Sequence, residues 1–346
     1  MTDSTPRIVS LGQAVPDQPY NCVVSMEEWC RMLGYKSHIT FDIARNTQIS
    51  LHRWWANPIG KSVQELSEDY IAGGVALSCR AIEDCLDRPV QEFGSFIFVS
   101  TTQQLEVCPG MSFRIAGKLG MPEDIKLVDI ISDGCQGLAP GLETAYSHLL
   151  TFRKPVLVVS CEICSSTYFP APENDIANSV ANLIFNDGAC AMILDNSKDA
   201  QFPAILDFER SFTPEGLGLL GYTYRDNRMK VILHKDVRTR IPPLIARVVQ
   251  RLLERNGLTK EDVGNWVFHN GGVAVLNETA AVLGLDSQRD LRYSWEILRE
   301  FGNVSSATAG MVAKRMHENP MNRDGYILGC TMGAGGQVGG ALLRYG

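Results

Sequence analysis

The chain has 346 residues, 45% hydrophobic and 21% charged, with a formal net charge of −7. That is an ordinary globular composition, too long for one simple core, and its acidic balance argues against a general nucleic-acid or anionic-membrane surface. No apolar run reaches the roughly 18 residues a bilayer span needs and the N-terminus lacks a signal-peptide pattern, so the expectation is a cytoplasmic protein whose ten cysteines are thiols.

In chain order, residues 7–12 read as a first strand, and Ser25-Met-Glu-Glu28 caps a helix. Residues 43–55 carry Arg45, His52 and Arg53 among aromatics and read either as a solvated loop or as a phosphate contact at a tunnel mouth. An amphipathic helix follows over 65–86, an apolar strand over 93–102, a loop over 103–109 and a helix over 110–119. Residues 127–131 read as a buried strand, and Leu142, Ala145, Tyr146 and Leu149 have helical spacing, so the turn Ser132-Asp-Gly-Cys135-Gln-Gly137 joins strand to helix. Another strand covers 156–161. Cys161-Glu-Ile-Cys164 has redox-motif spacing, but no second pair completes a zinc site and the motif reads as packing. The polar stretch 195–201 marks a boundary, which divides the chain into halves 1–196 and 197–346. The second half repeats the plan, with strands near 204–208, 266–269, 326–330 and 341–345, and helices over 241–256, after Gly272 and after Ser305. Alternating strands and helices define an α/β class with buried sheets.

Cys135 is held up where a helix begins. There the partial positive charge of unpaired N–H groups predicts a lowered thiol pKa and a larger thiolate fraction for attack on carbonyls. Taken alone it reads as a buried structural cysteine. Two further turns resemble its setting: His269-Asn-Gly-Gly272, where a strand runs out, and Gly302-Asn303-Val-Ser-Ser-Ala307, before a helix. Each alone reads as structural, the second as a helix cap. The glycine-rich 333–340 segment lacks G-x-G-x-x-G spacing and leads into a strand, so the dinucleotide reading fails on context.

In order and spacing, these three turns resemble the Cys-His-Asn triad of thiolase-superfamily condensing enzymes, in the group of ketoacyl-ACP synthase III and type III polyketide synthases such as chalcone synthase. Residues 162–189, ending Phe185-Asn-Asp-Gly-Ala189, together with His234-Lys-Asp-Val237 and Cys108-Pro-Gly110, are similar to the polyketide synthase branch. The length of the 101–109 loop and the closing Gly339-Gly-Ala-Leu-Leu-Arg344 are similar to the synthase III branch, and Thr331-Met-Gly-Ala-Gly335 replaces the plant-type Gly-Phe-Gly-Pro-Gly loop.

The resemblance implies a thiolase-like five-layered α-β-α-β-α fold of two similar halves and a Claisen condensation of acyl thioesters. The setting is polyketide or fatty-acid-like secondary metabolism, antibiotic biosynthesis included, with a pyrone as one product. Cys135 would carry the acyl group, and His269 and Asn303 would bind the enolate oxygen, with His269 also pairing with Cys135. The Cys135 N–H and a glycine N–H from 333–336 would form a second oxyanion hole. Cys108 matches a position lining the partner subunit's acyl pocket, and Tyr168 and Val231 match two aromatic gatekeeper positions. Loss of the ring at Val231 implies a wider cavity. Ser305 and Gly335 belong to the same implied pocket, and Arg45, Arg53 and Lys61 are the implied contacts for a CoA or phosphopantetheine phosphate. A homodimer acting on acyl-CoA or acyl carrier protein, with no metal or redox cofactor and no nucleic-acid or membrane partner, completes the expectation.

Other readings share parts of this pattern. A relative could join two preformed carrier-bound β-ketoacyl chains without malonyl extension, make esters as an acyltransferase, or serve as a non-catalytic partner subunit. A cysteine hydrolase also uses Cys, His and Asn, but with the histidine as a base toward water.

Overall fold

A computed structural model describes residues 5–19, 21–102, 105, 108–170, 172–197, 199 and 201–346. Parts of the 103–109 loop and of the 195–201 boundary therefore lie outside the described residues. Among the described residues, nine strands form one sheet in the order Val263–Phe268, Tyr326–Gly333, Gln337–Arg344, Ala204–Ser211, Arg7–Ala14, Gly188–Asp195, Val156–Glu162, Ser95–Ser100 and Lys126–Ile131.

The pairing directions expose a duplication that residue identities hide. Arg7–Ala14 pairs antiparallel with Gly188–Asp195, which pairs antiparallel with Val156–Glu162, which runs parallel to Ser95–Ser100. Ala204–Ser211, Gln337–Arg344, Tyr326–Gly333 and Val263–Phe268 repeat that series. The first half adds one strand, Lys126–Ile131, parallel to Ser95–Ser100. The two series join where Arg7 bridges Ala204.

Helices complete the layers. Leu138–Phe152 and Thr308–Glu318 each touch strands of both series and form the central layer, in an apolar core with Val158, Met192 and Ile327. Val63–Cys85 covers the outer face of the first series and Val237–Arg255 that of the second. Val63–Cys85 starts at a capping box of Ser62 with Glu65 and buries Leu66, Tyr70, Leu77, Ala81 and Ile82, a stripe at helical spacing. Val156–Glu162 is buried at every position, as a strand covered on both faces must be. The result is the five-layered thiolase-like α/β fold. Among the described residues no helix is long and apolar enough to cross a membrane.

Three local readings change. Residues 43–55 are neither a loop nor a tunnel mouth: the helix His38–Asn46 leads into the strand Leu51–Trp54, and His52 is fully buried, stacked on Trp29 at 4.6 Å and edge-on to Trp54 at 4.6 Å. The aromatic content that suggested a loop of contacts is instead a packed cluster. The strand Lys126–Ile131 is not buried: as the sheet's last strand it leaves Ile131 55% exposed. The helix after Cys135 begins at Leu138, four residues before the first periodic apolar position, because Ala139, Pro140 and Gly141 are also buried.

Candidate active site

The strand Lys126–Ile131 ends in a turn with Ser132 and Gly134 at φ of 74° and 66°. Cys135 follows within one 3-10 turn, Gly134–Gln136, that leads into Leu138–Phe152. Gly134 is required twice over, since a Cβ there would lie 2.3 Å from the Ala334 nitrogen. Gly333 answers it from the other series: a Cβ on Gly333 would lie 3.1 Å from the Cys135 nitrogen. The end of Tyr326–Gly333 thus abuts the Cys135 amide, and Thr331 Oγ1 donates to the Gln136 carbonyl at 3.3 Å.

His269 follows directly on Val263–Phe268, and its N–H donates to the Cys330 carbonyl at 2.9 Å. Asn270 Nδ2 donates to the Gly302 carbonyl at 2.9 Å, which ties the histidine turn to the asparagine turn. Asn303 is held from both sides of its backbone: its N–H donates to the Ile184 carbonyl at 2.9 Å, and its carbonyl accepts the Asn186 N–H at 2.9 Å. Its side-chain Oδ1 accepts the Ser305 N–H at 2.8 Å, which leaves the Nδ2 amide hydrogens as the group with donors to offer. The Ser305 hydroxyl lies beside the Cys135 thiol and lowers its pKa. The structure therefore brings the three distant turns to one place.

The electrostatics reverse one expectation. Burial pushes the Cys135 thiol up to about 12, opposed by the Ser305 hydroxyl and reinforced by the charge of Glu162. Burial also drives His269 down to about 3. The helix N-terminus does not overcome the removal of water, so the resting site holds a neutral thiol and a neutral imidazole. The expected Cys135–His269 pairing is likewise absent: neither His269 ring nitrogen has a hydrogen-bond partner among the described residues.

Glu162 was passed over in sequence as part of a packing motif. It is fully buried. Its carboxylate accepts the Thr101 N–H at 2.9 Å, the Thr102 N–H at 2.9 Å, the Thr102 hydroxyl at 2.9 Å and the Ser306 N–H at 3.3 Å, and also the Ser306 hydroxyl. A charged residue closing an apolar strand was the signal available. Asn186 and Asp187 form a second hub. Asn186 Oδ1 accepts the Arg53 N–H at 2.9 Å and its Nδ2 donates to the Phe301 carbonyl at 2.9 Å. Asp187 accepts the Ser165 N–H at 2.8 Å and the Trp55 N–H at 2.7 Å, and burial raises its carboxyl to about 7.

Cys135 packs with Cys164, Ala181, Phe185 and Val231. Phe185, Tyr168 and Val231 border the adjoining cavity, of about 280 Å³, together with Tyr222. The buried ring in the Cys135 cluster is that of Phe185; Tyr168 turns its ring toward Trp54, 5.9 Å away. Nor does Val231 widen the space by itself, because Tyr222, its register partner across a hairpin, packs partly buried against the same cluster and returns an aromatic ring. Cys108 is exposed in the single chain. Gly335 packs on Gly216 and does not border the cavity.

The three cations expected at a phosphate mouth are engaged elsewhere. Arg45 pairs with Asp42 at 2.7 Å on an exposed helix face. Arg53 lies over the Phe301 ring at 5.7 Å and donates to the Pro16 carbonyl at 3.3 Å. Lys61 pairs with Asp69. None of the three borders the cavity.

This fold and this meeting of cysteine, histidine and asparagine turns define a thiolase-like condensing enzyme. The family models for chalcone and stilbene synthases match residues 62–197 with the N-terminal domain and 206–345 with the C-terminal domain, and the chain belongs to that family, the type III polyketide synthases. It is an acyltransferase-type ketosynthase that builds polyketides by Claisen condensation through a cysteine-bound acyl group. Among its relatives, the 3,5-dihydroxyphenylacetyl-CoA synthase of Streptomyces toyocaensis is 26% identical over 99% of this chain and 91% of its own. The 1,3,6,8-tetrahydroxynaphthalene synthase of Streptomyces peucetius subsp. caesius is 28% identical over 69% of this chain and 64% of its own. In fold, the chain is similar to a type III pentaketide synthase from Neurospora crassa, with a TM-score of 0.86 at 22% identity over 99% and 100% of the two chains.

Proposed function

We propose that Cys135, His269 and Asn303 are the catalytic residues, and that the chain loads an acyl group from a CoA thioester onto Cys135 and extends it with a malonyl-type unit. The observation that carries this reading is the convergence of the three turns, with Asn303 fixed by its own backbone and by Ser305. The Cys135 proton passes to His269 as the sulfur attacks the thioester carbonyl, and the CoA thiolate leaves with that proton. Decarboxylation of the bound extender then places an enolate oxygen before His269 and Asn303 Nδ2, neutral donors that carry no opposing charge. The enolate carbon attacks the cysteine thioester and expels Cys135 as a thiolate, which takes a proton from solvent to restore the resting thiol.

The neutral resting pair supports an ordered sequence in which the thiolate forms only as substrate arrives. Acyl-CoA is the proposed donor and an acyl carrier protein the alternative, with no metal or redox cofactor required. A homodimer is part of the proposal: the outermost strand Lys126–Ile131 presents Ile131 with its outer edge unpaired, and exposed Phe113, Phe152 and Cys108 belong to neighbouring segments. A cytoplasmic location and a boundary between halves near residue 196 are proposed with it.

Intact-protein mass spectrometry of wild type and Cys135→Ser, incubated with acyl-CoA and acyl-carrier-protein thioesters before any extender, tests this. Acylation of wild type alone is expected. Acylation of both proteins, or of neither, removes Cys135 as the carrier.

A further inference from the structure

The hairpin of Leu220–Arg225 and Arg228–Leu233 carries one side-chain face outward from the catalytic cavity. Its inner pair, Tyr222 and Val231, lies in the cluster of Cys135; the next pair on that face, Tyr224 and Met229, borders a second hollow of about 350 Å³. One such step along a strand is about 7 Å. The two spaces adjoin at consecutive residues, since Ser166 borders the outer hollow and Thr167 the inner cavity.

The outer hollow has an apolar wall and a rim of donors. Val63, Leu66, Leu105 and Met229 supply the wall, and Arg228, Asn227 and Ser166 the polar groups; among the described residues no Asp or Glu borders it. The cations around it are already matched, Lys61 by Asp69 and Lys230 by Asp175. Arg228 differs. Its guanidinium donates to the Lys61 carbonyl, and among the described residues no carboxylate stands within ion-pair distance of it. Its charge also acts on Tyr168, which borders the inner cavity. A half-buried guanidinium without a counter-ion is a site for an anion, bound by charge-assisted hydrogen bonds.

We propose that this hollow receives the far end of the acyl group carried on Cys135, and that this end is a carboxylate bound by Arg228. The proposal rests on acylation of Cys135 and adds the chemical class of the acyl group: a dicarboxylic acid activated at one end. An alkyl chain would fill the apolar wall but leave Arg228 without its ligand.

Loading of the full chain with CoA thioesters matched in length, octanoyl-CoA against suberoyl-CoA and shorter pairs, tests it by rates of mass gain. Wild type is expected to load the carboxylate-ended member of at least one pair about tenfold better in kcat/KM. Arg228→Gln is expected to abolish the preference and Arg228→Lys to retain part of it. Methyl-ended chains loading as well or better in every pair overturns the proposal using wild type alone, and so does an unchanged preference in a folded Arg228→Gln. Acetyl-CoA is too short to reach the hollow and keeps the readings apart. Acetylation of wild type but not of Cys135→Ser leaves the cysteine chemistry standing whatever the matched pairs show.

Discussion

Asn303 Oδ1 accepts the Ser305 N–H at 2.8 Å, and the hydroxyl of the same Ser305 lies beside the Cys135 thiol and lowers its pKa. One residue thus orients the asparagine amide and neighbours the Cys135 thiol. Ser305 does so at a φ of 47°, a conformation few residues other than glycine adopt, so the backbone is constrained where both contacts are made.

Replacing Asn303 with Asp separates loading from condensation. The acceptor for Ser305 survives, but a negative charge replaces the amide donor beside the developing enolate. Product formation is expected to fall about 10² to 10³-fold while Cys135 still becomes acylated. Product chromatography paired with intact mass reads both, and wild-type product rates in Asn303→Asp would remove the asparagine from the mechanism.

The free enzyme's thiol is expected to react as a high-pKa group. With the Cys135 value at about 12, alkylation by iodoacetamide without substrate should climb continuously from pH 7 to 10 with no plateau near neutrality. In Ser305→Gly, which tolerates the positive φ, the curve should shift to still higher pH as the hydroxyl is lost. A plateau at pH 6 to 7 in wild type would show a resting thiolate pair instead.

Acid should destabilise the fold through its buried histidines. Burial lowers both His52 and His269 from 6.5 to about 3, so the unfolded chain binds protons that the folded chain refuses. Their contribution is complete above pH 6.5 and drains away as pH falls toward 3. Urea midpoints measured from pH 7.5 to 4.5 should decline more gently in His52→Phe, which keeps a ring between Trp29 and Trp54. Parallel declines would mean that His52 does not supply the acid sensitivity.

Glu162→Gln is expected to cost about 3 kcal/mol, because an amide NH₂ would face the donors of Thr101, Thr102 and Ser306 inside the core. Chemical denaturation gives the figure. A variant as stable as wild type would mean that these hydrogen bonds to the carboxylate do not hold the core together.

The edge strand predicts assembly. Light scattering of wild type should give twice the chain mass of 38.1 kDa, and Ile131→Lys should weaken that association. A wild type that scatters as a single chain at micromolar concentration would refute the dimer.

Much of the architecture was legible because its signals are local. Periodicity placed the long helix now seen as Val63–Cys85, and strand-turn-helix chemistry placed Cys135, His269 and Asn303 in turns. The halves were legible only as an order of elements, since strand direction and register leave no residue-level repeat. Residues 43–55 misled because a buried His52 stacked on tryptophans has the same composition as a basic aromatic loop.

The sequence alone determined the class and the three turns, because glycine spacing, capping residues and apolar runs act over a few neighbours. Tertiary structure decided what those turns meet. Glu162 and Asn186 became hubs only when segments far apart in sequence supplied their donors, and Tyr222 entered the pocket because a hairpin register set it opposite Val231. It also decided the charge state of the site. The pKa of Cys135 follows from how completely the two series of strands exclude water around it, and no local spacing records that.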